Sequence, residues 1–338
     1  MSFHVNGRYL RNAVAMMGAI TAATSLSTLS AAYVITTLLT RPQPQASDDD
    51  YTFSPWEFDI PCENVSFASA DGRHQVQAWW MPNPDAHSVI IACSGYRRDK
   101  SDMLGIGSKL WHAGHSMLLI DFFGHGSGHG STVTLAYREE GDFLGAVEYS
   151  AQRAPEAAIG VVGFSMGGAV AIMGAARDKR VRAVVADSSF ARHRDVVAVN
   201  FKRAFPITRH VPDGPILSVA DHLLKWRAGY HFNEVEPVRE IPYIAPRSVL
   251  LIHGTADETT PYEHSEELYA AAQEPKEIWL VRGAGHCGSY FDNRPRYCDR
   301  IIRFFAEALA PVAPTPFPLS PVSPAPQPTK DESCAGSN

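Results

Sequence analysis

Cysteine is scarce in this 338-residue chain. The five present (Cys62, Cys93, Cys287, Cys298 and Cys334) are scattered, and no two form a C-x-x-C pair. A disulfide-stapled scaffold, a zinc ribbon and thioredoxin-type chemistry are therefore excluded. The odd count leaves at least one thiol without an intrachain partner. Basic clusters are equally rare. No run of Lys or Arg exceeds two, the formal charge is −6 and the pI is about 6.1. Nucleic-acid binding needs a basic stripe that displaces counterions from phosphate, and the sequence has none. Internal repeats are also missing. What remains is ordinary globular material, 45% hydrophobic and 20% charged, enough for one large α/β domain or two small ones.

Charge is absent from one long stretch. Between Arg11 and Arg41 lie 29 uncharged residues, 12–40, nine of them Ser or Thr. As a helix, that length crosses a hydrocarbon core of ~30 Å with some tilt. An uncleaved membrane anchor is the leading expectation. A cleaved signal peptide, with Ser30 and Ala32 as the small residues before the cut, is the second, and a soluble N-terminal helix the third. Tyr33-Val34-Ile35 and Leu38-Leu39 continue the apolar run past the cut, which a signal peptide does not need. Arg8 and Arg11 precede the span, and Arg41 alone follows it before Asp48-Asp49-Asp50. The excess of positive charge then expects a cytoplasmic N-terminus and an extracytoplasmic main domain. Cleavage would instead give a secreted or periplasmic protein. At the other end, residues 311–328 carry eight prolines, a composition for an extended, solvated tail. The expected organisation is an anchor or signal segment over 1–41, a catalytic domain over 51–310 and a Pro-rich tail over 311–338.

The middle alternates strand and helix. Val65-Ser66-Phe67 and Val76–Trp80, joined by Asp71-Gly72, read as an antiparallel start. Near-continuous apolar runs follow at 89–93, 117–120, 159–162, 183–186, 249–252 and 278–281. Runs that are apolar on both faces suit a buried parallel sheet. Helix-length segments lie between them, near 101–113, 137–152, 166–178, 261–272 and 291–309. The expected fold is a mostly parallel, doubly wound α/β sheet. The gap at about 190–245 reads as a helical insertion placed where a lid would sit.

Gly163-Phe164-Ser165-Met166-Gly167-Gly168 falls directly after a strand and before a helix. G-x-S-x-G at such a junction is a nucleophile elbow, a turn so tight that its flanks must be glycine and its Ser hydroxyl projects. The N–H of Met166 faces the same space, at a helix N-terminus that favours negative charge. A serine needs a base, and the base needs an orienting carboxylate. Asp257 follows one buried strand in His253-Gly254-Thr255-Ala256-Asp257, and His286 follows the next in Gly283-Ala284-Gly285-His286. The order Ser165, Asp257, His286 is the one expected for this sheet, each at a strand's carboxyl end.

With these residues in place, the chain resembles the α/β-hydrolase superfamily of serine hydrolases. More narrowly it is similar to serine-aminopeptidase-like and dienelactone-hydrolase-like bacterial esterases. Asp121–Gly128 resembles their D-x-x-G-x-G-x-S loop, and 252–261 resembles the acid-bearing H-G-x-x-D-x-x-x-P segment. The resemblance covers roughly 60–309, and relatives with an N-terminal membrane helix occur. It implies that the second oxyanion donor is the N–H of Tyr96 in Ser94-Gly95-Tyr96. Ser94 stands where the family usually has His, which questions how rigidly that loop is held.

Other residues compete for roles. Asp187 also ends a strand and is the alternative acid. His125 and His129 have i, i+4 spacing for a metal, but the four glycines around them make a helix unsuitable, so no metal is expected. Arg97 and Arg98 are candidates for an acidic group of the substrate, or plain surface. Cys287 reads as a packing residue, since the elbow already holds Ser. Trp79 and Trp80 are read as core, with pocket lining as the alternative. The expected activity is cofactor-free hydrolysis of small-molecule or lipid-like carboxylic esters or thioesters through an acyl-enzyme. Amide hydrolysis by the same residues and a non-catalytic, membrane-tethered binding module are the alternatives.

Overall fold

The computed structural model describes residues 25–42, 53–126, 132–206, 208 and 212–310. The tail at 311–338, His129 and residues 12–24 of the uncharged run lie outside the described residues. Among the described residues, helix α1 covers 25–40. The hairpin of β1 (Glu63–Ala68) and β2 (Gln75–Met81) comes next, turning at Gly72 with a φ of 68°. Alternation follows: β3 (Ser88–Cys93), α2 (Leu104–His112), β4 (Ser116–Asp121), α3 (Glu139–Arg153), β5 (Ala158–Phe164), α4 (Met166–Arg177) and β6 (Val181–Asp187). Between β6 and the next strand come α5 (His193–Ala204), α6 (Gly214–Ala228) and the short α7 (Pro237–Glu240), the helical insertion expected at that gap. The chain then runs through β7 (Ser248–Gly254), α8 (Glu263–Ala271), β8 (Lys276–Val281), α9 (Ser289–Asp292) and α10 (Arg294–Ala308).

The eight strands form one sheet in the order β1-β2-β4-β3-β5-β6-β7-β8. β2 pairs antiparallel with β1 and β4; every other pair is parallel. The apolar runs explain this arrangement. Side chains alternate across a strand, so Val89, Ile91 and Cys93 enter one core layer while Ile90 and Ala92 enter the other. Helices α3 and α4 and the insertion cover the first layer; α2 and α10 cover the second. The parallel crossovers deliver the ends of β3, β5, β6, β7 and β8 to one edge of the sheet.

The described residues do not support the membrane expectation. Among the described residues no helix is long and apolar enough to cross a membrane. The second half of the uncharged run packs on the protein instead. Ala32, Ile35, Thr36 and Thr40 of α1 are buried, and Ala32 and Ile35 join the first core layer. Their i, i+3, i+4, i+8 spacing is one stripe of an amphipathic helix. The buried hydroxyls are satisfied within the helix, Thr36 donating to the Ala32 carbonyl (3.0 Å) and Thr40 to that of Thr36 (2.8 Å).

Candidate active site

Ser165 sits between β5 and α4 with φ 51° and ψ −114°, a conformation that costs a non-glycine residue ~1–3 kcal/mol and persists only where the surroundings impose it. The surroundings do so by close packing. A Cβ at Gly163 would run into the Gly167 carbonyl, and one at Gly167 into the Cys93 and Ser94 carbonyls. The turn is further tied by the Ser165 N–H donating to the Asp187 carbonyl at 2.8 Å.

The structure brings Ser165, His286 and Asp257 into one line. His286 Nδ1 lies 2.7 Å from Asp257 Oδ2, and Nε2 lies 3.0 Å from Ser165 Oγ. An ionised carboxylate only accepts, so Nδ1 carries the proton and Nε2 accepts from the serine hydroxyl. Asp257 Oδ1 accepts the N–H groups of Thr259 and Thr260, each at 2.8 Å. Burial works to raise the Asp257 carboxyl, but hydrogen bonds from His253, His286 and Thr260 outweigh it and hold it well below the carboxylate range. It stays ionised.

His253 is a support that sequence reasoning quoted within a motif without giving it a role. It is fully buried, its Nε2 2.7 Å from the Thr260 carbonyl and 3.2 Å from Asp257 Oδ2, its Nδ1 2.6 Å from Ser265 Oγ. Both neighbours of Nε2 are acceptors, so Nε2 bears the proton and Nδ1 accepts from Ser265. Its spacing of four from Asp257 was the available signal. Ser188 was missed outright. Its hydroxyl accepts the Cys287 N–H at 3.1 Å and so holds the loop that carries His286.

The Ser94-Gly95-Tyr96 loop lies against the elbow, with Gly95 next to the Ser165 side chain. Ser94 is fully buried and donates to the Arg98 carbonyl at 3.3 Å, while the Arg98 N–H donates to the Gly95 carbonyl at 3.2 Å. The loop is therefore cross-tied without the expected His. Met166 heads α4, where first-turn N–H groups have no intrahelical acceptor.

Asp187 is not in the line. Its side chain accepts from Ser188 Oγ at 2.9 Å, and burial lifts its carboxyl to about 6. Cys287 borders the site, but burial raises its thiol well above the ordinary value, which removes the thiolate a nucleophile requires. His125 is buried with Nδ1 3.1 Å from the Phe123 carbonyl, and no metal-holding cluster occurs among the described residues. Trp80 packs edge-on against Tyr149 in the core, and Trp79 lies under the Lys100 ammonium; neither lines the cavity beside Ser165. Arg97 and Arg98 do line it, Arg98 lying 3.6 Å from Asp102. That cavity encloses about 650 Å³, a small-molecule size, and Phe164, Leu135, Phe190, Val196 and Val197 make much of its wall apolar.

The sequence pattern of the prolyl oligopeptidase family matches residues 132–311, a stretch that holds Ser165, Asp257 and His286. The chain belongs to the prolyl oligopeptidase family. It is thus an α/β-hydrolase-type serine hydrolase, as the resemblance implied at superfamily level. Among curated relatives, YqkD of Bacillus subtilis (strain 168) is 27% identical over 234 residues, covering 68% of this chain and 75% of that one. Among solved structures, an esterase of Pyrococcus furiosus superposes with a TM-score of 0.66 at 21% identity, covering 80% of this chain and 98% of that one. The dienelactone hydrolase of Anabaena variabilis gives 0.53 at 16%, with coverages of 74% and 99%. At such identities the structural likeness is one of fold.

Proposed function

We propose that the protein hydrolyses carboxylic esters or thioesters through an acyl-enzyme on Ser165. The carrying observation is the line from Ser165 Oγ through His286 to the ionised Asp257, on a strained elbow beside an apolar cavity. Ser165 Oγ attacks the acyl carbon as His286 Nε2 takes its proton, and Asp257 stabilises the imidazolium. The backbone N–H groups of Tyr96 and Met166 take the oxyanion. His286 then gives its proton to the leaving oxygen or sulfur and activates water for deacylation. Each step is a proton transfer or acyl transfer, and none calls on a cofactor.

Amide or peptide hydrolysis is the second reading, favoured by the family match. The same residues would serve, His286 protonating a leaving amine. Rates on a p-nitrophenyl ester and the p-nitroanilide of the same acyl group separate the two. The proposal expects ester turnover that is lost in Ser165→Ala and His286→Ala. Anilide turnover matching or exceeding the ester's would give the assignment to the peptidase reading. A folded wild type inactive on both would favour the binding module.

A further inference from the structure

One wall of the cavity beside Ser165 comes from the N-terminal helix. Leu38 and Leu39, in the last turn of α1, line it together with Ser165 and His286. Their position is fixed by several independent ties. Ala32 and Ile35 anchor the helix in the core. Arg227 of α6 donates to Thr37 Oγ1 at 3.1 Å and lies over the Tyr33 ring. The Val133 N–H donates to the Thr40 carbonyl at 3.3 Å.

The tightest link runs through Tyr96. The last four carbonyls of a helix have no intrahelical donor. The Tyr96 phenol supplies one, lying 2.8 Å from the Leu38 carbonyl and 3.1 Å from that of Leu39. Burial pushes that phenol up to about 12, so it keeps the proton it donates. One residue thus touches both sides of the site, its side chain holding the end of α1 and its N–H being the proposed oxyanion donor.

We infer that the last turn of α1 is the distal wall of an acyl-chain site, with Leu39 the residue that sets acyl length. This rests on the acyl-enzyme reading above. An acyl group bound to Ser165 extends along the apolar side chains of Phe190, Val196 and Val197 towards Leu39, which offer an alkyl chain burial, with Asn200 at the margin of that path. The substrate class is then an ester or thioester of a mid-length aliphatic acid rather than an acetate.

The test uses the full-length protein and two readouts: calorimetric binding of sodium decanoate, and the ratio of kcat/KM for p-nitrophenyl decanoate to that for the acetate. Leu39→Trp fills the far end and should weaken decanoate binding and lower the ratio about tenfold or more, since pocket methylenes discriminate on that scale. Leu39→Ala opens it and should move the preference to longer chains. That variant keeps the test alive if Leu39→Trp misfolds. Leu29→Trp, on an exposed position of α1 that does not line the cavity, should leave both readouts within about twofold. Decanoate that does not bind wild type, or binds Leu39→Trp and Leu29→Trp alike, overturns the inference. Decanoate binding that responds to Leu39 in a protein without ester turnover would keep the wall and discard the catalytic reading.

Discussion

Two carboxylates end neighbouring elements of the same sheet edge, and their hydrogen bonds divide their roles. Asp257 receives two backbone N–H groups and two imidazoles and stays ionised; Asp187 receives the Ser188 hydroxyl and is lifted by burial to about 6. Asp257→Asn should therefore lower kcat about 10⁴-fold, because an amide leaves His286 in the wrong tautomer. Asp187→Asn should retain most turnover in the same steady-state assay. A second residue-scale prediction concerns His193. It is fully buried among Phe190, Tyr230 and Phe232, neither ring nitrogen meets a partner among the described residues, and burial lowers it from 6.5 to about 3. Between those values the unfolded chain binds a proton that the folded chain refuses, so stability falls as pH drops through that window. His193→Phe should flatten the acid side of a Tm-versus-pH curve measured from pH 7 to 4.5. Equal slopes for variant and wild type would contradict this.

At the scale of elements, the elbow is an arrangement of backbones in contact. Gly163 and Gly167 each face a carbonyl where a methyl group would sit, so Gly163→Ala or Gly167→Ala should cost about 3 kcal/mol or displace Ser165. Urea unfolding paired with ester turnover measures both effects. The elbow was legible because its requirement is local: glycines, a serine and a strand-to-helix junction within six residues. The inner parallel strands were legible because burial on both faces leaves apolar runs with no polar interruption, while β8, half-buried at the sheet edge, was legible from its apolar run alone. α1 was not. Hydropathy reads an uncharged, Ser/Thr-rich run alike whether its partner is lipid or protein, and the signal for the protein contact of its described part was the stripe Ala32, Ile35, Thr36, Thr40, set against exposed Leu29 and Tyr33. Ser188 carries no pattern, because its partner at Cys287 lies 99 residues away.

Across the whole molecule, parallel crossovers gather at one edge residues that are distant in the chain. Ser165 and His286 are 121 positions apart, yet lie at hydrogen-bond distance. The family match covers that assembly from residue 132 onward, whereas Tyr96 and the end of α1 complete the cavity from the N-terminal side. Support for hydrolysis comes from the joint arrangement of Ser165, His286 and the ionised Asp257. The most direct measurement is labelling with a fluorophosphonate followed by mass-spectrometric mapping of the modified peptide. The account predicts stoichiometric labelling of wild type on Ser165, lost in Ser165→Ala and strongly slowed in His286→Ala. Label on another residue, or a folded wild type that takes none, would contradict it.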